Sequence, residues 1–129
     1  MFNAQNVTQR IFSKQETFLP ILVESFRTDR KAAGLTRRSV EFYKNKLSMF
    51  LAYCESQSIT DVSQVTTDFL RKYLLFLAES HNPGGVHAVF RSIRAFMRWI
   101  EFDDIIPDWK DPIKKVRSPK VDIPPSKVS

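Results

Sequence analysis

Apolar residues return every three or four positions through most of this chain, the spacing that lines one face of an α-helix. Four such stretches stand apart. In the first, Phe18, Leu22 and Phe26 share a face with Ser25. Two starts are open for it. Ser13 with Glu16 has the form of a capping box, but this puts Pro20 in the helix interior, at a cost of about 3 kcal/mol. Thr17 as the cap moves Pro20 into the first turn, where proline is tolerated. The second choice predicts a helix over 18–32, stopped by Gly34. The next stretch follows Thr36, a good N-cap. Val40, Tyr43, Leu47, Phe50, Leu51 and Cys54 form one stripe, and Phe42, Met49 and Tyr53 form another. Two apolar sides predict a central helix over 37–56.

Residues 57–65 read as a connection, with Ile59 and Val62 as plugs. Thr66 caps a third helix ending near Ser80, with Asp68 in its first turn and Phe69, Leu70, Tyr73, Leu74, Phe76 and Leu77 on a broad apolar face. His81-Asn82-Pro83-Gly84-Gly85 is a strong turn signal. A fourth helix is predicted over 85–102, with Val86, Val89, Phe90, Ile93, Phe96, Met97 and Ile100 on one side. After Ile105-Ile106, five prolines from Pro107 to Pro125 rule out a long helix. The expectation is an all-α chain, an orthogonal four-helix bundle over 16–106. A flexible arm over 1–15 precedes it. A Pro/Lys-rich linker over 107–129 follows, with one short helical turn near Pro112–Val116.

Apolar residues make up 43% of the 129, enough for one domain with a real core. The single cysteine, Cys54, lies on an apolar stripe and reads as a buried thiol in a reducing, intracellular setting. No run is long enough to span a bilayer, and Met1 to Gln15 lacks the form of a signal peptide. No zinc-type cluster and no internal repeat is visible, and His81 has no metal-ligand partner at suitable spacing.

The formal net charge of +6 suits a polyanionic partner, provided that the charge gathers on one face. On the fourth helix, His87, Arg91, Arg94 and Arg98 form one stripe, about 130° from the core direction. No acid interrupts it before Glu101. A solvated face normally alternates in sign, so self-repelling arginines point to an external anion. The second helix carries a wedge of Arg37, Arg38, Glu41, Lys44, Asn45 and Ser48, which alone could be ordinary surface. Arg37 and Arg38 also lie at the helix N-terminus, where free N–H groups favour a phosphate. The linker adds Lys110, Lys114, Lys115, Arg117, Lys120 and Lys127. Residues 55–80 lean acidic, so charge is segregated along the chain. Arginine suits bidentate contacts to phosphates or guanine edges.

Gly34-Leu35-Thr36 followed by Ser39, Tyr43, Leu47 and Phe50 resembles the opening of a known domain, the N-terminal SAM-like (core-binding) domain of phage-integrase and Xer-type tyrosine recombinases. Val65-Thr66-Thr67-Asp68-Phe69 with Tyr73-Leu74, then Ile93-Arg94-Ala95-Phe96-Met97-Arg98-Trp99-Ile100, and finally Pro112, Val116 and Pro119-Lys120 resemble its later segments, in the same order. The likeness covers residues 16–121. Asp111 departs from the usual Asn before Pro112, Gly84-Gly85 loosens the start of the fourth helix, and the leading tail is longer than in many relatives.

The resemblance implies half of a C-shaped clamp around duplex DNA, with the second and fourth helices facing the major groove. It implies contacts from Arg38, Ser39, Lys44 and Asn45, and from His87, Arg91, Arg94 and Arg98. With Arg37, Lys114, Lys115, Arg117 and Lys120 these make up the expected DNA-binding set. In the family, cleavage belongs to a separate C-terminal domain with a His-x-x-Arg motif and a nucleophilic tyrosine. No such motif occurs here, and Tyr43, Tyr53 and Tyr73 fall on apolar faces. Trp99 and Trp109 read as packing residues. The expectation is a non-enzymatic DNA-binding module of a cytoplasmic, nucleoid-associated recombinase. It needs no cofactor, metal, membrane or small-molecule substrate. The alternative is a helical bundle that pairs with other recombinase protomers, aided by Phe2, Ile11 and Phe12.

Overall fold

A computed structural model describes residues 17–121. The arm over 1–15, the Ser13–Glu16 capping box and the linker beyond Val121 lie outside the described residues. Four α-helices appear in it: α1 (Leu19–Ala32), α2 (Arg37–Ser56), α3 (Thr67–Ala78) and α4 (Pro83–Phe102). Short 3-10 turns follow α2 (Val62–Gln64) and α4 (Pro112–Lys115). The described chain is all-α, without a strand.

Two helix starts follow the expected caps. The Thr36 hydroxyl accepts from the Ser39 N–H at the head of α2, and the Thr66 hydroxyl accepts from the Phe69 N–H at the head of α3. The other two starts differ from expectation. Thr17 does not cap α1: Phe18 occupies the N-cap position, with no side-chain bond. An extended backbone fixes this start instead. The Leu19 N–H donates to the Thr60 carbonyl, and the Val62 N–H donates to the Thr17 carbonyl, both at 2.8 Å. Asn82 is an N-cap rather than a turn residue. Its Oδ1 accepts from the Gly85 N–H at 2.7 Å, and Pro83 stands at the first helical position. The expected turn over 81–85 is thus mostly the first turn of α4.

The central element is α4 rather than α2. It packs on all three other helices and on the second 3-10 turn. Val86, Val89, Phe90, Ser92, Ile93, Phe96, Met97, Trp99 and Ile100 are all buried in it. Phe26 of α1 is fully enclosed and touches Tyr43, Phe96 and Trp99, with ring centroids at 5.3, 5.7 and 5.6 Å. Between α2 and α3, the Tyr53 ring lies 4.7 Å from Tyr73 and 4.8 Å from Phe76. Burial of Cys54 pushes its thiol up to about 12.

The segment after α4 corrects the expectation of an extended linker from residue 107. Pro112 opens the second 3-10 turn, and Ile113 and Val116, three residues apart, are buried against the core. With Leu70, Leu74, Phe90 and Ile93 they enclose a space too narrow for water. Thr67 donates its hydroxyl to the Pro112 carbonyl at 2.7 Å, which ties the segment to α3. Prolines exclude a long helix, but they do not prevent packing.

Candidate nucleic-acid interface

The stripe on α4 survives folding as a strip on an otherwise buried helix. Arg91 and Arg98 are exposed, and His87 and Arg94 are half-buried. Each of three cations rests on an aromatic ring. The Arg94 guanidinium lies 5.4 Å from the centroid of Phe90, which also has the His87 ring at 6.3 Å. The Arg91 guanidinium lies 5.9 Å from the centroid of Phe42, a residue of α2. Lys46, one turn along α2, sits 5.6 Å from the same ring. Such contacts hold a long side chain against its helix while leaving its charge unneutralised.

The cationic faces of the two helices therefore adjoin at Phe42. Arg38, Ser39, Phe42, Tyr43 and Leu35 of the α1–α2 corner line a cleft of about 350 Å³ with Arg91 of α4. No carboxylate lines it, so two guanidinium groups share one concavity. Ser39 is held there by the cap, because Thr36 donates its hydroxyl to the Ser39 Oγ at 3.0 Å. Arg37, Lys44 and Asn45 are exposed on α2. Arg37, Arg38, Lys44, Lys46, Arg91, Arg94 and Arg98 form no ion pair with a described carboxylate. Elsewhere the chain does match its charges. Arg27 pairs with Glu24 at 2.9 Å, Arg30 with Asp29 at 2.6 Å, and Lys72 with Asp68 at 3.2 Å.

The expected basic residues after α4 divide. Lys114 is matched by Glu101 at 2.7 Å, so it is not a free cation. The loop folds back on the end of α4, which sequence spacing does not reveal. Arg117 lines a separate groove against α3, and Lys115 offers its carbonyl to Arg71 at 3.2 Å. Lys115 and Lys120 are exposed. Two contributors were missed in the sequence: Phe42 as a platform and Lys46 above it. Their i, i+4 spacing was the available signal.

Near Arg98 lies Asp111, whose side chain is mostly buried. Burial raises its pKa above the usual carboxylate range, against the Ile113 N–H bond that lowers it. The Glu101 charge raises it further, and Lys114 and Arg98 pull it down. Tyr43 and Tyr53 are half-buried and Tyr73 is enclosed; burial raises the Tyr73 phenol.

Among the described residues, no helix is long and apolar enough to cross a membrane, and no group of three or more His, Cys, Asp or Glu side chains is arranged to hold a metal ion. Comparison of the chain with protein-family models, with curated proteins and with solved structures finds no match.

Proposed function

We propose that this chain is a DNA-binding domain of the kind that tyrosine recombinases use to clamp duplex DNA, a SAM-like orthogonal bundle without strand-cleaving chemistry of its own. The observation that carries the reading is the shared cleft of Arg38 and Arg91, which joins the cationic faces of α2 and α4 and has no carboxylate among its lining residues. A polyanion relieves the mutual repulsion of such groups, and duplex DNA supplies phosphates at regular spacing. Arginines held on rings lose little further freedom on binding. The order of sequence segments that resembles the recombinase domain points to the same partner. The absence of strand chemistry is read from the packing of Tyr43, Tyr53 and Tyr73 against other rings, since a phenol enclosed like Tyr73 makes a poor nucleophile.

The test is a titration of a short duplex by fluorescence anisotropy at low and at moderate salt. Affinity is expected to fall steeply with salt, by about 0.9 logarithmic units per phosphate contact for each tenfold rise. Changing Arg91, Arg94 and Arg98 together to Ala is expected to reduce that slope by up to about 3, with the helical circular dichroism unchanged. No binding at low salt, or binding indifferent to salt, would overturn the proposal.

A further inference from the structure

Phe102 ends α4 and is 86% exposed, the most exposed of the large apolar side chains described. It stands among exposed acids: Glu101, Asp103 and Asp104. Local energetics oppose this tip. The C-terminal end of a helix carries partial negative charge and favours cations, yet the last turn of α4 has no basic residue. Asp104 also holds a φ of 48°, a left-handed position that glycine fills most easily. The chain uses glycine in the corresponding place after α1, where Gly34 has a φ of 89°. Here it keeps a carboxylate instead. The Asp104 N–H donates to the Glu101 carbonyl at 3.2 Å and the Ile105 N–H to the Ile100 carbonyl at 3.2 Å, so the tip is a closed, defined turn.

A groove of opposite character lies between α3, the start of α4 and residues 116–119. Leu74, Leu75 and Ala78 of α3, Val86 of α4, and Val116 and Pro119 line a cleft of about 440 Å³. Leu75 is 71% exposed on its edge. The only charged side chains that line it are Arg71 and Arg117. Arg71 is held in place by its bond to the Lys115 carbonyl.

Sixteen residues of helix separate Val86 from Phe102, a rise of about 24 Å. Phe102 lines no part of this groove in its own molecule and stays exposed. We propose that a second copy of this chain fills it: Phe102 enters the apolar groove of a neighbour, with Asp103 and Asp104 facing Arg71 and Arg117. The occupant follows from complementarity, an aromatic knob ringed by acids against an apolar cleft rimmed by arginines. The contact is heterologous, so it repeats head to tail and either closes a ring or extends along the axis of α4. One aromatic side chain in one groove makes a small interface, so association is weak and appears at high concentration.

Sedimentation velocity of the intact chain without DNA tests this, over concentrations reaching about 0.5 mM. The weight-average mass is expected to rise with concentration, and less so at high salt. Phe102→Ala and Leu75→Glu are each expected to remain monomeric, with unchanged melting because both positions are exposed. The decisive sample is their equimolar mixture. Phe102→Ala keeps the groove, Leu75→Glu keeps the knob, and together they are expected to form a dimer that grows no further. A wild-type chain that stays monomeric throughout, assembly that survives Phe102→Ala, or a mixture that remains monomeric would each overturn the proposal. Because no DNA is present, none of these outcomes bears on nucleic-acid binding.

Discussion

Asp111 divides its two carboxylate oxygens unequally. Oδ1 accepts the Ile113 N–H at 2.8 Å and caps the second 3-10 turn, whereas Oδ2 is buried with no hydrogen-bond partner. An acid whose pKa is raised by folding binds its proton more tightly in the folded state. Its contribution to stability is therefore fullest below the unfolded carboxylate value and is lost as pH rises through the folded one. Asp111→Asn keeps the capping oxygen and removes the charge. At pH 7 the variant is expected to gain on the order of 1 kcal/mol in urea unfolding, and the gain is expected to shrink in acid. A lower midpoint at pH 7 would show that the carboxylate is better satisfied than its surroundings indicate. Phe42 acts differently, through the two cations above its ring. Phe42→Leu keeps most of the packing and removes the platform. DNA affinity is expected to fall about two- to fivefold, the worth of one or two exposed cation–π contacts, with melting nearly unchanged.

At the scale of elements, the N-caps account for much of what the residues disclosed in advance. Asn82→Ala is expected to cost about 1 kcal/mol and to fray the first turn of α4, read by thermal melting and by amide exchange at Gly85. Asn82 was nevertheless misread, because Pro83-Gly84-Gly85 has the composition of a turn and also suits the first turn of a helix. The starts of α2 and α3 were legible because Thr36 and Thr66 cap through bonds three residues away. The start of α1 was legible to within one residue, but not what fixes it, since its partners Thr60 and Val62 lie some forty positions on, and no local pattern records such a pairing. The strip of His87, Arg91, Arg94 and Arg98 was visible from periodicity alone. Its junction with Arg38 was not, because sequence does not say which faces of two helices meet. Nor was the capture of Lys114 by Glu101, which needs the chain to double back.

At the scale of the molecule, residues 112–116 belong to the folded body and not to a tether. Ile113 and Val116 close the space over Leu70, Leu74, Phe90 and Ile93. A chain ending at residue 106 loses both, at about 1.5–3 kcal/mol each, a large share of the stability of a small domain. It is expected to melt far lower than the whole chain, or without a cooperative transition, in a calorimetric scan. An unchanged melt would mean that the segment merely rests on the surface. Phe26 ties the other side together, joining α1 to α2 and α4 through three rings. Phe26→Ala is expected to cost about 3–5 kcal/mol, measured by urea unfolding.

The enclosed thiol of Cys54 gives the domain a reporter of its own opening. A thiol with its pKa near 12 carries almost no thiolate at neutral pH, and it lies under the side chains of the interior. An alkylating reagent must wait until α2 parts from its neighbours. With one cysteine in the chain, that reaction reports the population of the open form when reclosing is fast and the opening rate when alkylation is faster, with no added label to disturb the packing.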